Sequence, residues 1–193
     1  MAEGFLRAAL ERRLEAAAPQ VSSAGVYARR GGRALPETIE AAAERDLDLS
    51  EHVVRPLLDE DVEGADLVVG MAAEHRDQIA REFPSASPKT FTLKEVVRLL
   101  EELPAAGPAS ASPAERLSRR VTEADRLRRN GFEGNFHDED VVDPLGLSFE
   151  AFRATAREIE EWSGRLAEGL FGPAAERKVE LPLGERHCVA GEA

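Results

Sequence analysis

The sequence is poor in cysteine: Cys188 stands alone, which excludes an internal disulfide framework and any paired-cysteine metal or redox motif. It also lacks a long apolar run. Nothing approaches the ~20 residues a membrane-spanning helix needs, and no membrane partner is expected. The opening residues carry Glu3 and no basic-then-apolar pattern, so no secretory signal is indicated and the cytoplasm is the expected location. Lysine is confined to Lys89, Lys94 and Lys178 amid many arginines, a bias that fits a GC-rich genome and carries no mechanistic weight. Positive charge is in deficit. The net charge of −12 argues against nonspecific nucleic-acid binding, because neutralising phosphates requires clustered Lys and Arg.

What is present is ordinary for a globular protein. With 42% hydrophobic and 32% charged residues, the 193-residue chain is long enough for one domain with a real core and short for two. The expected organisation is one domain over 1–172, a flexible Pro-, Ala-, Gly- and Ser-rich connection at about 104–113 within it, and a tail over 173–193.

From Ala2 to about Ala18, the spacing of Phe5, Leu6, Ala9, Leu10 and Leu14 predicts an amphipathic helix that Pro19 stops. Gln20 to Gly25 reads as a short strand running into a loop, and Pro36 opens a helix to roughly Arg45. Ala65 to Met71 is a continuous apolar run, expected to be a central strand buried on both faces. Ala73 to Phe83 is helical in character, and Pro88 to Leu93 alternates as a strand. Thr92 is placed to cap the next helix, with Glu95 completing a capping box. A charged helix follows from Ala114 to Arg129, then an exposed acidic loop from Asn130 to Asp140. Ser148 is expected to cap a last helix ending at Gly172-Pro173. Alternating strands and helices predict an α/β fold, a parallel sheet with helices on both faces, although just three strand candidates are visible.

Five ordered signals carry a resemblance. They are Met1-Ala2-Glu3 opening a helix, Ser22-Ser23-Ala24-Gly25, Ser50-Glu51-His52-Val53-Val54-Arg55, Asp66 through Met71 with His75, and Val142-Asp143-Pro144. Together they resemble the low-molecular-weight protein-tyrosine phosphatases over Met1 to about Leu170. That family hydrolyses phosphotyrosine and other aryl phosphate monoesters. A thiolate in a Cys-x5-Arg loop attacks phosphorus, and water then cleaves the cysteinyl phosphate. Backbone N–H groups, an arginine and a helix N-terminus hold the phosphate oxygens in such a reaction.

The resemblance implies Asp143 as general acid, because a phenolate leaves poorly unless a positioned carboxylic acid protonates it. An ordinary Asp-Pro turn is the commoner meaning of that dipeptide alone. Ser23 and His52 match positions that support the phosphate loop by hydrogen bonding, and Leu145 stands where the family often lines its substrate cleft with an aromatic residue. That departure puts stacking on phosphotyrosine in doubt. The implied partners are a phosphorylated protein or a small aryl phosphate, with no cofactor. His137, Asp138, Glu139, Asp140 and Asp143 could suggest a metal site, but no spacing selects a geometry and a solvated acidic loop is the better reading.

Cys188 cannot supply the loop, since no arginine follows six positions later; arsenate reductases of similar fold need further cysteines. The nucleophile and its arginine are therefore not found in these residues. The expectation is an N-terminally truncated family member, with the central first strand and phosphate loop missing and turnover absent from the chain as given. Losing an interior strand would cost on the order of 6–12 kcal/mol and leave a weakly stable or oligomeric protein. The alternative is a noncatalytic pseudophosphatase that binds a partner, and an unrelated α/β domain is the least favoured reading.

Overall fold

The computed structural model describes residues 1–26, 28, 31–106, 111–132 and 138–173. Helix α1 spans Ala2–Leu14 and tightens into a 3-10 turn at Glu15–Ala17 before Pro19, where the apolar stripe ends. Helix α2, Pro36–Ala43, begins with proline in its first turn, where a missing N–H costs nothing. Helix α3, Asp59–Gly64, was not foreseen, because Val62 is its one large apolar residue and gives no periodicity. Asp61 stabilises it by accepting from the Leu58 N–H at 3.0 Å and from Arg55 at 2.6 Å.

Strands β1, Val68–Gly70, and β2, Thr90–Thr92, pair in parallel, with Val69 beside Phe91. Helix α4, Ala73–Glu82, and a 3-10 segment at Pro84–Lys89 make the crossover between them. Helix α5, Leu93–Glu102, follows β2 directly through the expected capping box: the Thr92 hydroxyl accepts from the Glu95 N–H, and the Glu95 carboxylate accepts from the Thr92 N–H. Helix α6, Pro113–Arg129, starts one residue earlier than expected and is capped by Ser112 and Glu115. Helix α7, Phe149–Phe171, runs 23 residues to Gly172, whose φ of 82° suits a residue without a Cβ.

The period-2 alternation of the strands divides the core. Val69 and Phe91 pack into the larger cluster with Phe5, Val96, Leu166 and Leu170, whereas Val68 faces the smaller cluster of Val62, Ile79 and Ala86. Helices thus cover both faces of a parallel sheet, as the sequence predicts. The long helix α7 lies against α1, α2, α5 and α6 and is the element around which the larger cluster forms. Its Gly169 lets α5 approach closely, since a Cβ there would meet the Leu100 Cβ at 2.9 Å.

Three expectations are corrected. The Ala65–Met71 run contributes just three strand residues, and Val68 and Val69 are half-buried, because among the described residues β1 pairs on one edge alone. The Gln20–Gly25 segment is not a strand. It makes one isolated parallel bridge, with the Gly25 N–H donating to Arg55 O at 3.0 Å and the Leu57 N–H to Gly25 O at 3.1 Å. Val21 alone offers too little apolar surface to hold a strand there. The acidic loop is not simply solvated either, for Asp138, Glu139 and Asp140 are tied to neighbouring elements. No helix among the described residues is long and apolar enough to cross a membrane. The expected tail beyond Pro173, His137 and residues 107–110 of the 104–113 connection lie outside the described residues.

Candidate active site

Two groups of side chains hold the residues singled out by the sequence. The first surrounds the start of α1. Glu3, in its first turn, suits the positive end of the helix. It accepts from Ser23 Oγ at 2.5 Å and from Arg7, whose guanidinium also donates to Val21 O at 3.0 Å. Burial resists its ionisation, but the Ser23 and Arg7 hydrogen bonds outweigh that and hold the carboxyl below its usual range, with His52 adding to the same effect. Ser23 is therefore joined to α1 through Glu3, whereas no hydrogen bond or ion pair among the described residues ties His52 to either of them. Glu3 was not among the residues predicted for the site, and the capacity of a helix-first-turn carboxylate to take a serine from another segment is not visible in sequence spacing.

The second group is the loop between α6 and α7. Asp143 is exposed, and its Oδ1 accepts from the Leu145 N–H at 3.0 Å. The Leu147 N–H donates to Pro144 O at 2.9 Å, and Pro144 itself is buried. This is the Asx turn that an Asp-Pro dipeptide favours. Here it presents the carboxylate to solvent with Leu145 exposed beside it at 66%. No hydrogen bond or ion pair among the described residues links Asp143 to Ser23 or His52.

Residues 138–142 precede the turn and are held one by one. Lys94 Nζ donates to Asp138 Oδ1 at 3.1 Å and to Asp140 O at 2.8 Å. Arg76 donates to Glu139 at 2.8 Å, and the Ala73 N–H, at the start of α4, donates to Asp140 Oδ1 at 2.7 Å. The Val141 N–H donates to Met71 O at 2.8 Å, and Thr155 Oγ1 donates to Val142 O at 3.2 Å. Burial raises the Glu139 pKa even though Arg76 opposes the shift. These carboxylates are committed to protein donors, and no group of three or more metal-binding side chains occurs among the described residues. An open depression of about 370 Å³ beside α1, lined by Arg7, Glu11, Glu15 and Val21, includes none of the predicted site residues.

The pattern described as low molecular weight phosphotyrosine protein phosphatase matches residues 1–115. The chain belongs to this family. The match covers Glu3, Ser23 and His52 and stops short of Asp143. Curated relatives reach further. A protein-arginine-phosphatase of Bacillus subtilis (strain 168) is 33% identical over 170 residues, covering 88% of this chain and 87% of the relative. A protein-arginine-phosphatase of Geobacillus stearothermophilus is 29% identical over 151 residues, covering 78% and 76%. Among solved structures, a YwlE mutant from Bacillus subtilis aligns with a TM-score of 0.61 at 32% identity, covering 88% of this chain and 87% of that one. The low molecular weight protein tyrosine phosphatase from T. tengcongensis gives 0.61 at 29%, covering 88% of each. The α/β fold and the family expected from the five sequence signals are thus both found, and a phosphatase of this family acts on phosphorylated protein.

Proposed function

We propose that this family member carries the acid side of a phosphatase centre, with Asp143 protonating the group that leaves phosphorus. The observation that carries the reading is the presentation of Asp143: an exposed carboxylate on a tight turn, following residues fixed to α4, α5 and α7. A general acid must meet the leaving atom at hydrogen-bonding distance, and a fixed loop reduces the conformations that miss it.

In the proposed reaction a thiolate attacks phosphorus, the bond to the leaving oxygen or nitrogen breaks, and that atom takes the proton of Asp143. Water then attacks the thiophosphate while the Asp143 carboxylate accepts its proton, releasing inorganic phosphate and the free thiol. The 193 residues contain one cysteine, Cys188, and no Cys-x5-Arg. Ser23 and His52 are proposed to brace the thiolate loop from the α1 side, where Ser23 is bonded to Glu3. Leu145 is proposed to line the substrate cleft. Its aliphatic side chain favours a phosphorylated arginine over a stacked phosphotyrosine, and the two protein-arginine-phosphatases among the relatives support the same preference.

The proposal takes 1–172 as the catalytic unit with 173–193 as its tail. It places the protein in the cytoplasm, since a lone cysteine suits a reducing compartment. It assigns neither nucleic acid nor membrane as partner. Self-association is part of it, through the edge of β1 that is unpaired among the described residues, because such edges template pairing. Sedimentation over a dilution series checks that point, and a monomer throughout ends it.

The activity test uses the chain alone and a chimera carrying the first strand and thiolate loop of the Bacillus subtilis relative ahead of Met1. Phosphoarginine and phosphotyrosine peptides should be hydrolysed by the chimera, the former faster. Asp143→Asn should lower turnover by about 10²–10⁴-fold. No hydrolysis by either chain would favour the alternative, a noncatalytic module that binds phosphorylated partners.

A further inference from the structure

Lys94 lies in the first turn of α5 with its side chain 2% exposed, an unusual place for an ammonium. Its ammonium donates to Asp138 Oδ1 at 3.1 Å and to Asp140 O at 2.8 Å, and it forms an ion pair with Glu158 Oε1 at 2.7 Å. Burying a charge is costly, and an apolar residue would serve helix packing better. What the ammonium does that leucine could not is join three separate parts of the chain: α5, the 138–140 loop and α7. Arg76 repeats the device from α4. It spans Glu139 on the loop and Glu95 on α5, which also takes Arg128 of α6 at 3.5 Å. Arg98, one turn after Lys94, donates to Asp138 O at 3.1 Å. Apart from Ala73, Met71 and Thr155, every anchor on residues 138–142 is one of these cations.

We propose that Lys94 and Arg76 are positioning residues for Asp143, clamping residues 138–142 to α5 and α4 so that the acid is held where the leaving group must meet it. The inference rests on the reading of Asp143 as the acid. Neither cation is hydrogen-bonded or ion-paired to Asp143; they act through the loop backbone and its carboxylates. The cost of burying Lys94 is thereby linked to a geometric requirement, since a displacement of about 1 Å can cost on the order of 10²-fold in rate. On the other side of the turn, among the described residues, no cation anchors Leu145–Leu147, which are held by the turn's own hydrogen bonds and by the start of α7 at Phe149.

Hydrogen exchange on the 193-residue chain tests the clamp without any turnover. Lys94→Met, which keeps the length of the side chain, should speed exchange at Val141 and through 138–147 by about tenfold or more while α5 and α7 keep their protection. Lys94→Arg should restore most of that protection. Asp138→Asn, at an exposed side chain where folding is not at stake, should loosen the same segment by a smaller factor. Unchanged exchange in 138–147 in both Lys94→Met and Asp138→Asn would overturn the proposal, and so would an acceleration spread evenly over α5 and α7.

The chimera adds a readout that a merely structural lysine would not move. Lys94→Met and Arg76→Met should slow hydrolysis of phenyl phosphate, whose leaving group needs a proton. They should leave 2,4-dinitrophenyl phosphate, whose leaving group does not, nearly unchanged. Equal losses on both substrates would refute positioning of the acid. If Asp143→Asn leaves phenyl phosphate turnover intact, the acid reading fails by itself, and the exchange result still stands for or against the clamp.

Discussion

Ser23, beside α1, depends on one carboxylate partner, Glu3, whereas Asp143 follows five residues tied to α4, α5, α7 and the end of β1. Both groups are polar and near the surface, yet they are held by different physics. Glu3 and Arg7 form an i, i+4 pair on a helix face, with side chains 18% and 46% exposed, and such pairs are worth a few tenths of a kcal/mol. The loop clamp uses a lysine buried to 2% and a glutamate, Glu95, buried to 5% between two arginines. Low local dielectric strengthens those interactions and makes each missing partner expensive. The support of the Asp143 turn is therefore built as part of the core, and the α1 side as an adjustable surface contact.

The contrast can be broken most forcefully at its buried end. Glu95→Ala strands Arg76 and Arg128 without their shared carboxylate and removes the α5 capping box, so urea unfolding should show a loss of about 3–5 kcal/mol. A loss below that of an ordinary surface mutation would mean that the network is ornamental. Thr155→Val, at a residue buried to 4%, deletes the bond to Val142 O and should cost about 0.5–1.5 kcal/mol, read in the same titration. On the α1 side, Ser23→Ala should cost about 1 kcal/mol or less, because Glu3 keeps Arg7 and contact with water. A larger effect from Ser23 than from Thr155 would invert the comparison.

The smallest expected effect is one of pH. Glu3 has a folded-state pKa below its ordinary value of 4.5. Its contribution is then fully present above 4.5 and is lost as pH falls through the lower folded value. Urea midpoints followed from neutral pH into the acid range should decline less steeply for Glu3→Gln than for the parent chain. A parallel decline would show that Glu3 is not coupled to folding.

The sequence makes legible whatever depends on local pattern. The α5 capping box at Thr92 and Glu95, the stop at Pro19 and the end of α7 at Gly172 each follow from one or two residues whose chemistry is short-range. The family could be read because its signals lie in order along the chain. Strand extent could not, because the apolar run at 65–71 gives the same pattern whether both edges pair or one does. The clamp was equally hidden. Lys94 and Asp138 are 44 positions apart, Arg76 and Glu139 are 63 apart, and neither spacing has meaning until α5, α4 and the loop meet. Lys94 appears in the sequence as a rare lysine on an amphipathic helix, a signal that marks an oddity without naming its partner.

Helix α7 begins six residues after Asp143 and is held at its other end by arginines. Arg120 donates to Gly169 O at 2.9 Å, Arg13 to Gly172 O at 3.2 Å, and Arg116 to Phe171 O. A helix of 23 residues is roughly 34 Å long, so a tilt of about 5° about the arginine end would move its N-terminal end by roughly 3 Å. Mechanically, α7 is a lever pivoted at its arginine-held end, with the Asp143 turn near its free end. Substitutions at Arg13, Arg116 and Arg120 would then reach that turn as changes in angle, shifting Asp143 while every residue around it stays the same.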